Sequence, residues 1–340
     1  MTRAATPHRH PAQLIGERTR MVISKRWTGL GDCLVSLLAA WRFAHATGRA
    51  LVADWRRSCY VNDPRTNVFG LVFEPAPVVA GVPFLGDDTI NDLVLVGPFH
   101  PATWHAATVS KHWTRHGLED RAEREAAVAL VASGADVEAP VVVFDGCLND
   151  AVPSHEACRR VLGALRPRAR IAEAVAAFEE RYLVGRPIVA VHVRHGNGGN
   201  IGAHARYWAS PPAALGRVIG ATLWAVRAMR SEAGVDPVVF VCTDSRPVEA
   251  LLQQALPGVV TRPKTFRPPG AGELHLWDRR LTSLMDATVE MLLLARSDVL
   301  VRFPPGSFFS FWGVVMKRPP RVPPDAHGQR VTPGPWPTVC

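Results

Sequence analysis

The sequence predicts an α/β fold, and three observations carry the prediction. Short apolar runs of strand length, Ile188–Val193, Val238–Cys242 and Val299–Phe303, alternate with stretches of helical periodicity at Pro212–Ala233, Pro247–Leu256 and Ser283–Arg296. Such alternation implies parallel pairing through right-handed crossovers. Each apolar run then empties into a loop of polar and conformationally special residues: Arg194–Asn200, Thr243–Ser245 and Pro304–Ser307. Ligands of open α/β sheets sit outside the carboxyl ends of the strands, so these loops form the candidate site.

The elements follow in order. Residues 1–20, polar and rich in His, Pro and Arg, read as a flexible arm. Met21–Ser24 is a short apolar run, followed by the loop Lys25–Asp32, a helix over Leu34–His45 stopped by Gly48, and a strand at Ala50–Asp54. Gly29 and Gly31 open that helix, where backbone amides can hold phosphate. The loop is not a dinucleotide fingerprint, because Leu34 stands where the third glycine belongs; a plain tight turn is the other reading. Residues 55–118 are irregular, with strand-like pieces at Leu71–Phe73 and Leu93–Val96. Glu119–Ala132 reads as a helix stopped by Gly134, Val141–Phe144 as a buried strand and Ala172–Arg181 as a helix. Val259–Val260 is a short strand, 263–280 a Pro/Gly/Arg-rich loop, and Phe308–Met316 a last helix entered through a proline turn. The expected division is an N-terminal arm (1–20), an N-terminal α/β domain (21–183), a C-terminal nucleotide-binding domain (184–318) and a Pro-rich tail (319–340).

Length and composition agree with two domains, since 340 residues at 47% hydrophobic content can support two cores. A formal charge of +9 favours an anionic partner. The arginines are scattered and do not interleave with aromatics, so a phosphorylated small molecule fits better than nucleic acid. No window is long and apolar enough for a membrane span or a signal peptide. The six cysteines include no Cys-x-x-Cys pair, and the expectation is a reduced, cytoplasmic chain with buried free thiols. Neither His192 with His195 nor His100 with His105 has the spacing or companions of a metal site, so no metal is assigned.

The candidate ligand groups lie at the strand ends. Arg194 supplies a planar, permanently charged fork for phosphate, flanked by His192, His195, Gly196 and Asn197. Asp244 and Ser245 follow the second strand, where Asp244 reads either as a ligand carboxylate or as a helix N-cap. Ser307 follows the third and has the same two readings. Glu290 sits mid-helix among apolar neighbours, and a buried carboxylate needs a partner or a ligand. Tyr207 and Trp208 offer flat faces for a sugar, or pack the start of a helix.

Five motifs, in order from about residue 28 to 305, resemble the rhizobial nodulation protein Z family. They are Thr28-Gly-Leu-Gly-Asp-Cys-Leu34, Ala53-Asp-Trp-Arg56 with Ser58-Cys-Tyr60, Val191-His-Val-Arg-His-Gly-Asn197, Cys242-Thr-Asp-Ser245, and Leu294-Ala-Arg-Ser-Asp298 with Arg302-Phe-Pro-Pro305. That family comprises α-1,6-fucosyltransferases acting on chitooligosaccharides, related to the eukaryotic enzyme that fucosylates the N-glycan core. The resemblance implies a GT-B-like arrangement of two Rossmann-like domains facing a cleft. It also implies GDP-fucose held mainly by the C-terminal domain, and inverting transfer to a glycan of the GlcNAc type with neither metal nor cofactor. Arg194 matches the family's phosphate-binding arginine, with Ser307 a second donor, and His192 matches the histidine that contacts the nucleotide. Asp244 and Glu290 fall where acidic residues meet guanosine, and Gly29 and Gly31 match the loop facing the diphosphate. One departure stands out. Family members carry an acidic residue after the arginine motif, whereas here no Asp or Glu occurs between Glu180 and Glu232. His204, in that loop, is the candidate general base; Asp32 or Asp54 is the alternative. A different donor or acceptor, or a non-catalytic binder, are the rival readings.

Overall fold

Two units each grow from one sheet, all parallel in the second and parallel but for one edge pair in the first. A computed structural model describes residues 20–316 except 27, 62, 112–120, 147, 199–207, 209 and 271–280. Contacts divide the chain after Arg168.

In the first unit β1 (Met21–Lys25) and β2 (Ala50–Asp54) are buried along their whole length, as expected of apolar runs covered on both faces. Between them α1 (Leu30–Thr47) starts at the glycine loop, with Gly29 as N-cap, and ends at Gly48 in the left-handed conformation (φ 67°). It begins four residues before the expected Leu34: the glycine loop runs straight into the helix, and Asp32 is the acid of its first turn. β3 (Val78–Val79), β4 (Val82–Leu85), β5 (Phe99–His100) and β6 (Val141–Asp145) complete a sheet ordered β3-β4-β2-β1-β6-β5. Only the β3–β4 pair is antiparallel.

Leu71–Phe73 and Leu93–Val96 are not strands. The first lies mostly in a short helix, α2 (Val68–Val72), whose Val68, Phe69 and Val72 pack inward at helical spacing. The second forms no ladder, and Val94 and Val96 are exposed. Of the remaining helices, α3 (Ala106–Lys111) and α5 (His155–Ala164) were not expected, whereas α4 (Arg121–Ser133) was. Ser154 caps α5 by accepting from the Ala157 amide at 3.3 Å, and Cys158, Val161 and Leu162 face the core. That Ser cap is the signal the sequence carried for it.

The second unit opens with α6 (Ala169–Phe178), which continues into a turn of π-helix at Glu179–Leu183 and packs against α9 (Leu281–Leu294), a later helix of the same unit. β7 (Ile188–Val193), β8 (Val238–Thr243), β9 (Val259–Thr261) and β10 (Val299–Phe303) form an all-parallel sheet ordered β10-β7-β8-β9. α7 (Pro211–Ala233) and α8 (Arg246–Ala255) start with proline in their first turns. A single helical turn, Phe308–Ser310, leads into α10 (Phe311–Met316). Val189, Val191 and Val193 join Val239, Val241, Val301 and Phe303 in one core with α7 and α8. At the amino end of the sheet the Asp298 carboxylate accepts from the Ile188 amide at 2.8 Å, which fixes β10 against β7.

Cys33, Cys59, Cys158 and Cys242 are buried free thiols. No helix among the described residues is long and apolar enough to cross a membrane.

Candidate functional site

Strand alternation builds the site at the carboxyl edge of the second sheet. With Val191 and Val193 committed to the core, His192 is turned to the opposite face. There its ring stacks on Phe309, 5.1 Å between centroids and 28° between planes. The imidazole is buried, and its Nδ1 has no hydrogen-bond partner among the described residues. Burial, reinforced by the nearby Arg194, Lys264 and Arg302 and only partly offset by Asp244, pushes its pKa down to about 3. His192 is therefore neutral at physiological pH, with one ring nitrogen open as an acceptor or donor.

A testable consequence follows from linkage. The unfolded histidine titrates near 6.5 and the folded one near 3, so the unfolded chain binds more protons between these values. Stability attributable to this site is complete above about pH 6.5 and declines as pH falls toward 3. Urea denaturation from about pH 4 to 7 is expected to show a shallower acid-side loss in His192→Phe than in the wild type.

Arg194 continues the ladder beyond the strand, its amide donating to the Phe303 carbonyl at 2.8 Å. Its Nη1 donates to Asp244 Oδ2 at 2.7 Å. The same carboxylate accepts from the His195 amide at 2.8 Å and the Gly196 amide at 2.9 Å. Ser245, not Asp244, is the N-cap of α8, and Asp244 braces the arginine and its loop. Burial pushes the Asp244 carboxyl up, but Arg194 and the two amides outweigh it and hold it below the usual carboxylate range. Gly196 (φ 71°) and Asn197 (φ 52°) take the left-handed turn that glycine and asparagine tolerate best. Asn197 then ties this loop to the next: its Nδ2 donates to the Pro268 carbonyl at 2.7 Å, and its own carbonyl accepts from the Gly270 amide at 2.7 Å.

Glu290 has the partner its burial demands. Lys264 Nζ donates to Oε1 at 2.6 Å and the Cys242 thiol to Oε2 at 3.2 Å. The Lys264 side chain is only 4% exposed. Burial pushes its ammonium down, but Glu290, Cys242 and Glu249 outweigh this and raise it above its ordinary value. Burial, with Glu290 beside it, lifts the Cys242 thiol well above its usual range, so it stays protonated. The sequence reading missed Lys264, whose only signal was the need of a mid-helix carboxylate for a cation somewhere. It also missed Phe266, flanked by Lys264 Nζ at 5.2 Å and Arg246 Cζ at 5.3 Å from its ring centre.

Trp208 sits where His195 and Phe303 meet. It makes edge contacts with both rings, at 4.8 and 5.1 Å, and its Nε1 donates to the Arg194 carbonyl at 3.1 Å. It buttresses the arginine loop from the core side. Burial lowers the pKa of His195, against the pull of Asp244. Ser245 is buried with an Oγ that meets no partner among the described residues, whereas the Ser307 carbonyl accepts from Ser310 Oγ at 3.2 Å. His204 and Tyr207 lie outside the described residues.

In the first unit Gly29 caps α1 without a side-chain hydrogen bond, Gly31 is buried in its first turn, and the Leu30 amide donates to the Tyr60 hydroxyl at 3.1 Å. Asp54 is saturated. Lys25 Nζ reaches it at 2.8 Å, and Arg56 reaches it twice at 2.9 Å. Burial pushes its carboxyl up, but the two cations outweigh that and bring it to about 2. Among the described residues no group of three His, Cys, Asp or Glu could hold a metal ion.

The second unit therefore presents an oriented guanidinium and a neutral imidazole at one sheet edge. Such fixed donors can meet charge that develops on a departing phosphate. Comparison with known proteins gives this arrangement its context. The family model described as Nodulation protein Z matches residues 18–322. Nodulation protein Z of Sinorhizobium fredii is 40% identical over 292 residues, covering 86% of this chain and 89% of that one. Its Bradyrhizobium diazoefficiens counterpart is 39% identical over 292 residues, covering 86% and 77%. A crystal structure of NodZ alpha-1,6-fucosyltransferase soaked with GDP-fucose superposes with a TM-score of 0.72 at 34% identity, covering 88% of this chain and 93% of that one. The same enzyme co-crystallised with GDP gives a TM-score of 0.71. The expected fold class, α/β of the GT-B type, stands with this likeness.

Proposed function

The chain belongs to the nodulation protein Z family, and on that premise we propose that it is a fucosyltransferase moving L-fucose from GDP-fucose to a glycan acceptor. The observation that carries this reading is the Asp244-braced arginine at the end of β7. Transfer proceeds by direct displacement at the fucose anomeric carbon, with inversion. Arg194 meets the negative charge that grows on GDP as the glycosidic bond breaks, and Gly196 and Asn197 shape the same turn. His192 contacts the nucleotide as a neutral imidazole. Ser307 is a second donor to the phosphate, and Ser245 and Glu290 shape the guanosine side, with Glu290 acting through the position of Lys264. Gly29 and Gly31 face the diphosphate, His195 supports the loop, and Tyr207 and Trp208 serve the acceptor side.

The acceptor hydroxyl must lose a proton. Asp54 cannot take it, because a carboxylate held near 2 by two cations is a poor base at neutral pH. We assign the proton to His204, with Asp32 at the start of α1 as the alternative. The acceptor is a chitooligosaccharide or similar GlcNAc-type glycan, joined in α-1,6 linkage; the reaction uses no metal and takes place in the cytoplasm.

One experiment tests this reading. The full chain is incubated with GDP-fucose and chitooligosaccharide in excess EDTA. Equal amounts of α-linked fucosylated product and GDP are expected, and in His204→Ala a fall of about 10²-fold or more in turnover with GDP affinity kept. Tight GDP binding with no product on any GlcNAc-type acceptor would overturn the enzymatic reading. Unchanged turnover in His204→Ala would move the base to Asp32.

A further inference from the structure

The carboxyl edge of the first unit's sheet holds more cations than its carboxylates can balance. β1 ends in Ser24 and Lys25 and is followed by Arg26, so consecutive side chains leave it on opposite faces. Lys25 stands in register with Asp54 on one side and Asp145 on the other. Its Nζ donates to Asp54 at 2.8 Å. Arg56 closes on the same carboxylate with Nε and Nη2, and its Nη1 reaches Asn91 Oδ1 at 2.9 Å. The Lys25 face is therefore locally neutral.

Arg26 has no such company. It is 2% exposed, its amide is held by the Asp54 carbonyl at 3.2 Å, and its Nε and Nη1 are buried without a hydrogen-bond partner among the described residues. Asp32, the acid in the first turn of α1, bonds neither nitrogen. Ser24, on the same strand face as Arg26, is fully buried with an Oγ that meets no partner among the described residues; so is the Oγ1 of Thr28. Arg57 comes to this edge from the end of β2, with its backbone in the left-handed region (φ 55°) and its Nε buried and unmatched in the same way.

A guanidinium is not left uncompensated in a protein interior without large cost, and a matching anion removes that cost. A guanidinium fork, with hydroxyl-bearing residues two positions before and after it in the chain, is the chemistry of phosphate and sulfate recognition. The positive end of the 18-residue α1, where Tyr60 takes only the Leu30 amide, adds to the same potential.

We propose that Arg26 and Arg57, with the hydroxyls of Ser24 and Thr28, form a binding site for a tetrahedral oxyanion, a phosphoryl or sulfuryl group. The group is carried by a phosphorylated or sulfated ligand. The site does not depend on which nucleotide sugar the chain uses.

The test uses the full chain in an Arg194→Ala background, which removes the phosphate arginine of the second unit. Binding of inorganic sulfate is measured by calorimetry, with Arg26→Met and Arg57→Met added singly. A tenfold or greater loss of sulfate affinity in each supports the site. Arg57 is half-buried, so Arg57→Met keeps the test alive if Arg26→Met does not fold. Two further titrations, in the chain with Arg194 intact, identify the source. Loss of affinity for GDP but not for guanosine points to the donor; loss for a sulfated but not a plain chitooligosaccharide points to the acceptor. Sulfate affinity unchanged in both folded variants overturns the proposal, whatever the outcome for fucose transfer.

Discussion

Arg194→Ala is expected to lose nearly all fucose transfer, with kcat down by about 10²–10³-fold, while the protein stays folded. The magnitude is that of removing one preorganised donor from a developing anion. Folding survives because the Asp244 carboxylate keeps its two amide donors from His195 and Gly196. Arg194→Lys is not a rescue, since an ammonium cannot both hold Asp244 and present a planar fork to phosphate. Steady-state kinetics with circular dichroism decide the matter: full activity in a folded Arg194→Ala protein would remove this residue from the site.

Asp244→Ala is expected to damage stability and activity together. It leaves the Arg194 charge without its partner at 2.7 Å and two loop amides without an acceptor. Removing one member of a mostly buried ion pair costs about 3–5 kcal/mol. Orphaned amides act in the same direction, at about 1–3 kcal/mol each where water cannot reach them. The pH dependence has a definite sign. The folded carboxyl lies below its unfolded value, so its contribution is present above about pH 4 and is lost as pH falls through the folded value. Asp244→Asn keeps one acceptor oxygen and is expected to lie between wild type and alanine in urea midpoint. A wild-type midpoint for Asp244→Ala would contradict the bracing role.

What the sequence revealed follows from which interactions are local. β7, β8 and β10 were legible because each is a bounded apolar run that ends in a polar loop, and no long-range contact changes that reading. Leu71–Phe73 misled because strand propensity there yields to Val68, Phe69 and Val72 packing as one helical face. α5 escaped because one Ser cap before a short helix is a faint signal. Arg194 could be named from its position at a strand end, but the role of Asp244 could not. Its partners lie 48 to 50 positions away, and only the parallel pairing of β7 with β8 brings them together. Lys264 and Glu290 are likewise 26 positions apart, joined by the fold of a loop that has no periodicity. Trp208 read equally well as a sugar platform or as packing, and its indole holds the Arg194 carbonyl, a contact that neither reading named.

The central claim is that the donor's diphosphate rests on the Arg194 loop. A crystal structure of the full chain with GDP tests it most directly. The account predicts phosphate oxygens within hydrogen-bonding distance of the Arg194 guanidinium and the Asn197 amide, with guanosine lying toward Ser245 and the Lys264–Glu290 pair. GDP bound elsewhere, with the Arg194 loop making no contact to it, would contradict the account.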